Sequence, residues 1–157
     1  MSAVTAIYKA PVVGKGVMPE SGEVSVIINY NGRIYQGVAL LHPEDKDFFS
    51  EKVGYNIALS RARIEALKDT LIDVKTEARI KEQMLDEVTR FGEFRSCEDM
   101  YDPTHMFRQN VIRAITRVET LEEAIKKEEK ILHNYLEGQD RALDSVKRYR
   151  KEQAEAK

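Results

Sequence analysis

The sequence predicts an α+β protein: a small antiparallel β-sheet, built on a hairpin, followed by two long antiparallel helices and assembled as an oligomer. Three observations carry this reading. Residues 23–30 (EVSVIINY) alternate apolar and polar side chains and run into Asn31-Gly32, a strong hairpin signal because a type I′ turn needs positive φ at both central residues. From Ile57 the period changes to an unbroken heptad. A second heptad starts at Val111, beyond an irregular stretch at 92–104.

The elements follow in order. Residues 4–9 (VTAIYK) read as a short N-terminal strand that can extend the hairpin. Residues 10–22 carry Pro11, Gly14, Gly16, Pro19 and Gly22, and read as a loop. In 23–30, Val24, Val26, Ile28 and Tyr30 share one face. Residues 33–41 (RIYQGVALL) return as the next strand, with Ile34, Val38 and Leu40 expected on the same inward face. Gly37 inside that strand signals a bulge or a close backbone approach. Residues 1–41 are thus the sheet region.

His42-Pro43-Glu44-Asp45 is a turn, and Asp47 or Ser50 can cap the helix that follows. His42 with Glu44 and Asp45 has the look of a metal site, but proline and acids belong in a first helical turn, and no metal is expected. The first heptad places Ile57, Ile64, Leu71, Ala78 and Leu85 at a, and Ser60, Leu67, Val74, Lys81 and Val88 at d. It gives a first long helix over 51–91, roughly 35–40 residues and about 55 Å long. The second places Val111, Val118, Ile125 and Leu132 at a, and Ala114, Leu121, Glu128 and Tyr135 at d. It gives a second long helix over 105–150, with 151–157 as a frayed tail. The whole chain, 1–157, is read as a single domain.

A lone hairpin is marginal in water, and one helix pair leaves much of each apolar stripe uncovered. Partner chains are therefore expected, and a symmetric dimer is the simplest closed solution.

Composition bounds the function. The 157 residues are 42% hydrophobic and 33% charged, with a formal net charge of −2. No overall basic field draws the chain to nucleic acid, although residues 141–157 carry a modest basic excess. The lone Cys97 fits a reducing compartment and reads as a free structural thiol, with no histidine near it in sequence to activate it. No signal peptide and no apolar stretch of membrane-spanning length is apparent, so a soluble, cytoplasmic protein without a membrane partner is expected. There is no P-loop, GxGxxG, HExxH or GxSxG, and His42, His105 and His133 lie far apart. No catalytic residue, enzyme activity or cofactor is expected.

One cluster stands out. Around the break between the helices lie Arg90, Phe91, Phe94, Arg95, Tyr101, Met106, Phe107, Arg108, Asn110 and Arg113. Arginine forks bind phosphate, aromatic faces stack bases, and asparagine can read a base edge or a ribose hydroxyl. The same residues could instead plug the open end of the helix pair while the arginines stay solvated, and composition alone favours that.

The stretch GRIYQGVALLHPEDKDFFSEKVGYNIALSRARIEALK, residues 32–68, adds a further indication. Its glycine-bearing strand, His42-Pro43-Glu44-Asp45, Phe49-Ser50, and a helix opening with Ile57-Ala58 and Arg61-Ala62 resemble a phage family of Thoeris anti-defence proteins, the first described type, the cyclic ADP-ribose sponges. The resemblance implies a protein of the host cytoplasm, a homo-oligomer (a dimer, or a hexamer as a trimer of dimers). It would bind a cyclic ADP-ribose isomer or a related cyclic nucleotide, cyclic oligonucleotides included, and hold it intact. That would block Thoeris immunity. The implied pocket lies between subunits. Arg61 is carried over from the matched motif, and Phe91, Phe94, Asn110 and Arg113 by residue type and region. The alternative is a structural coiled-coil phage scaffold or adaptor with no small-molecule ligand.

Overall fold

A computed structural model describes residues 1–92 and 104–156. Its elements are α1 (Ala3–Tyr8), β1 (Val12–Met18), β2 (Glu23–Tyr30), β3 (Arg33–Leu40), a 3-10 turn (Pro43–Phe48), α2 (Glu51–Gly92) and α3 (Thr104–Glu155). The three strands form one antiparallel sheet in the order β1-β2-β3, so the fold is α+β. The inner face of the sheet lies on the first half of α2, and α3 packs on α2. The core between them holds Val24, Val26, Ile28, Ile57, Ala58, Ala62, Leu67, Leu121 and Ile125. Each large aliphatic side chain buried there contributes roughly 1.5–3 kcal/mol.

Three expectations are corrected. Residues 4–9 are not a strand: Ala3–Tyr8 is helical. The Ser2 hydroxyl accepts from the Thr5 N–H at 3.1 Å, an N-cap that a six-residue helix needs, and Ile7 is buried in the core. Residues 10–22 are not all loop, because Val12–Met18 pairs with β2. Gly14 and Gly16 serve close pairing rather than a turn. A Cβ on Gly16 would lie 2.7 Å from Ser25 Oγ, and one on Gly14 would lie 3.2 Å from Ile27 Cδ1.

The third correction concerns β3. Its inward residues are Tyr35, Gly37 and Ala39, whereas Ile34, Val38 and Leu40 face outward. The two-residue turn at Asn31 (φ 56°) and Gly32 (φ 75°) pairs Tyr30 with Arg33 and Ile28 with Tyr35. Directly paired residues share a face, so even-numbered β2 residues sit beside odd-numbered β3 residues. Gly37 marks a close approach: a Cβ there would fall 1.8 Å from the Ala58 carbonyl oxygen and 2.6 Å from Ala62 N. Alanines at 58, 62 and 66 complete this tight seat of α2 on the sheet.

Ser50 starts α2, its Oγ accepting from the Val53 N–H at 3.4 Å and its carbonyl from Gly54 N–H at 3.0 Å. The helices run antiparallel, as the pairs Lys68–Glu129 (3.3 Å), Lys75–Glu122 (3.3 Å) and Arg117–Glu77 (3.7 Å) show. Helix α3 runs to Glu155. Its last turns are tethered: Arg150 lies over the Phe48 ring at 4.6 Å, and Lys147 pairs with Asp45. Among the described residues, no helix is long and apolar enough to cross a membrane.

Two polar d positions meet inside the seam. Glu128, 1% exposed, accepts from Ser60 Oγ at 2.7 Å and from the Tyr8 hydroxyl. Both carboxylate oxygens are thereby satisfied, which offsets the cost of burying them.

Candidate functional site

The inner face of the β2–β3 hairpin is aliphatic up to Ile28 and then changes character. Tyr30, Arg33 and Tyr35 follow on that face and overhang the middle of the helix pair. A cleft of about 590 Å³ opens beneath them. Val74 of α2 and Leu121 of α3 contribute apolar surface, Thr70 and Asp73 stand on the α2 side, and Thr116, Arg117 and Thr120 on the α3 side. Residues 1–4, at the start of α1, form the remaining wall. Helical spacing puts each set on one side: 70, 73 and 74 lie within one turn of α2, and 116, 117, 120 and 121 within two turns of α3.

The hairpin is tied to α2 by charge. Arg33 Nη1 donates to Asp69 Oδ2 at 2.8 Å and to Asp73 Oδ2 at 3.1 Å, and the Tyr35 hydroxyl donates to Asp69 Oδ2 at 2.6 Å. The hydrogen bond from Tyr35, then that from Arg33, holds the Asp69 carboxyl below its usual range. Burial, then the bond to Asp69, raises the Tyr35 phenol. Across the cleft, Arg117 has a 3.7 Å contact with Glu77.

The threonines face the cleft with their acceptors available. Thr70 donates to the Ala66 carbonyl at 2.7 Å, Thr116 to Ile112 at 2.9 Å and Thr120 to Thr116 at 2.8 Å. With each hydroxyl hydrogen committed, the oxygen lone pairs remain. The cleft thus offers tyrosine rings, two guanidiniums against one lining carboxylate, and hydroxyl acceptors. Its volume falls in the range of roughly 300–1,000 Å³ that small-molecule sites occupy.

The residues expected from sequence are placed differently. Arg61, near the start of α2, donates from Nη1 to the Val38 carbonyl at 2.6 Å. It lines a niche of only about 30 Å³ with Phe49, Ser50, Leu136 and Gln139. Phe91 lies in the last turn of α2, 30 positions on and about 45 Å away along the helix axis. Phe94 lies outside the described residues, as does Cys97. Asn110, half-buried, and Arg113, exposed, sit near the start of α3, towards the same end of the pair as Phe91. One chain therefore does not gather Arg61 with Phe91, Asn110 and Arg113. Among the described residues no group of three or more His, Cys, Asp or Glu is placed to hold a metal ion.

Sequence reasoning missed Tyr30, Arg33, Tyr35, Asp73 and Arg117. A signal existed for the first three. The inward alternation of β2 should continue aliphatic across the turn, and it gives way to two tyrosines and an arginine around Asn31-Gly32. Asp73 and Arg117 lie on helix flanks that look like ordinary solvated surface.

No family model, curated protein or solved structure matches the chain. Fold and cleft define an α+β protein with a cleft of about 590 Å³ shared by its hairpin, its N-terminal helix and its helix pair.

Proposed function

We propose that the protein is a phage anti-defence sponge. It binds a cyclic ADP-ribose-type second messenger in the hairpin cleft, holds it without degrading it, and so blocks Thoeris immunity in the host cytoplasm. The observation that carries the reading is the cleft. The Tyr30 and Tyr35 rings suit an adenine face, Arg33 and Arg117 suit a diphosphate, and Thr70, Thr116, Thr120 and Asp73 suit ribose hydroxyls. The resemblance of residues 32–68 to the cyclic ADP-ribose sponges supports the same ligand class. Sequestration needs affinity and slow release rather than transition-state stabilisation, so no catalytic group is required.

The working form is a homo-oligomer, a dimer or a hexamer built as a trimer of dimers. Its support is the apolar outer face of the sheet, where Met18, Ile34 and Leu40 are well exposed.

Equilibrium dialysis against cyclic ADP-ribose isomers, with ADP-ribose as the linear control, tests the reading. Retention of a cyclic isomer in preference to the linear compound is expected. No retention of any isomer supports the second reading, a coiled-coil scaffold or adaptor, which Ile72, Ile80, Met84 and Ile112 on the solvent side of the helix pair favour.

A further inference from the structure

Glu128 occupies a d position in the helix seam, where an aliphatic side chain would pack without cost. It is 1% exposed, and its two oxygens are claimed from different elements: Ser60 on α2 donates to one, and Tyr8 on α1 donates to the other. Ser60 is itself buried. The arrangement makes the solvation of a buried carboxylate depend on where α1 sits.

Helix α1 has six residues, too few to hold a helical turn in water without tertiary anchors. Its anchors lie at its C-terminal end. Ile7 is buried in the core, the Tyr8 hydroxyl reaches Glu128, and the Arg63 guanidinium lies over the Tyr8 ring at 4.9 Å. Burial, then the hydrogen bond to Glu128, raises the Tyr8 phenol, so the hydroxyl stays protonated and able to donate. At the opposite end of α1, Ala3 and Val4 are only half-buried against the core. Met1 is 88% exposed, and residues 1–4 are the wall of the cleft.

We infer that Glu128 is a positioning residue for the cleft: through Tyr8 it docks α1, and the start of α1 acts as a wall that lifts to admit a ligand and then closes behind it. This rests on the reading of the cleft as the ligand site. The carboxylate touches no ligand and acts only through the helix it holds. A buried acid in place of an aliphatic residue makes docking reversible, because an undocked α1 leaves an acceptor that water can reach. Slow release, which a sponge requires, then depends on a hydroxyl distant from the ligand.

The test compares the full-length wild type with Tyr8→Phe, which keeps the ring over Arg63, and with Glu128→Gln and Glu128→Leu. Three quantities are read: amide exchange at residues 3–8, oxidative footprinting of Tyr30 and Tyr35, and the release rate of a bound cyclic ADP-ribose isomer. In Tyr8→Phe all three should rise about tenfold, the loss expected for one hydrogen bond to a charged acceptor, while amides of α2 and α3 keep their protection. Glu128→Leu should reproduce this without weakening the helix pair, and Glu128→Gln, which still accepts a hydrogen bond, should fall between. Unchanged exchange at residues 3–8, unchanged footprinting of Tyr30 and Tyr35, or a lifted α1 with unchanged release each overturns the inference. A wild type that retains no cyclic isomer, while exchange and footprinting still respond, overturns the sponge reading and leaves the docking of α1 by Glu128 standing.

Discussion

The Arg61 guanidinium donates to the Val38 carbonyl at 2.6 Å and so ties the first half of α2 to the edge strand β3. An edge strand presents unpaired backbone groups that invite pairing with other chains, and a charged side chain laid on one of them closes part of that edge. Arg61→Ala should cost about 1 kcal/mol, the scale of a partly solvated charge-assisted bond. Ligand retention should persist, because the cleft lies elsewhere. Chemical denaturation and dialysis check the two halves of this expectation; lost retention in a folded oligomer would place the ligand at Arg61, between subunits.

Arg117 is the cleft cation with the weakest protein partner, and Arg33 is shared between two aspartates. Arg117→Ala should therefore weaken capture by roughly ten- to hundredfold with little change in stability, as one or two charge-assisted bonds are lost. Arg33→Ala should weaken capture and also loosen the hairpin. Titration calorimetry beside thermal melts separates these effects.

Gly37 tolerates no side chain. A Cβ there would sit 1.8 Å from the Ala58 carbonyl oxygen, so Gly37→Ala must push α2 off the sheet. A cost above about 3 kcal/mol is expected, at or beyond the upper end of overpacking penalties, because the obstacle is backbone. Urea unfolding measures it.

The pH dependence has two arms. Asp69 is held below its usual range by Tyr35 and then Arg33, so its contribution is present above the unfolded carboxylate value of about 4 and is lost as pH falls through the folded one. Amides of 30–35 should lose protection in acid, and Asp69→Asn should abolish that response. Tyr8 is raised by burial and then by Glu128, so its contribution is complete below about pH 10 and is lost as pH climbs above it. Exchange at residues 3–8 should therefore rise selectively in alkali, and Tyr8→Phe should remove that dependence.

Much of the architecture was legible because it rests on local periodicity. The alternation of 23–30, the Asn31-Gly32 turn and the two heptads each report their own element. The face of β3 was legible too, had the parity of a two-residue turn been weighed above the apolar character of Ile34, Val38 and Leu40. That α1 is helical was harder to read, since six residues hold too little pattern and what decides it is the Ser2 cap, the burial of Ile7 and the bond from Tyr8 to a glutamate 120 residues away. Glu128 and Ser60 are polar d positions in two separate stripes, and the antiparallel register brings them together. The cleft was illegible for the same reason: Tyr30, Asp73 and Arg117 belong to three elements, and nothing local marks them as neighbours.

The central claim is capture without turnover in the cleft. The most direct measurement incubates the protein with a cyclic ADP-ribose isomer, removes free ligand, denatures the protein and identifies what is released, for the wild type and for Arg117→Ala. Intact cyclic isomer from the wild type, and about tenfold or more less from Arg117→Ala, is the expected result. Recovery of linear ADP-ribose, or equal recovery from both proteins, would contradict it.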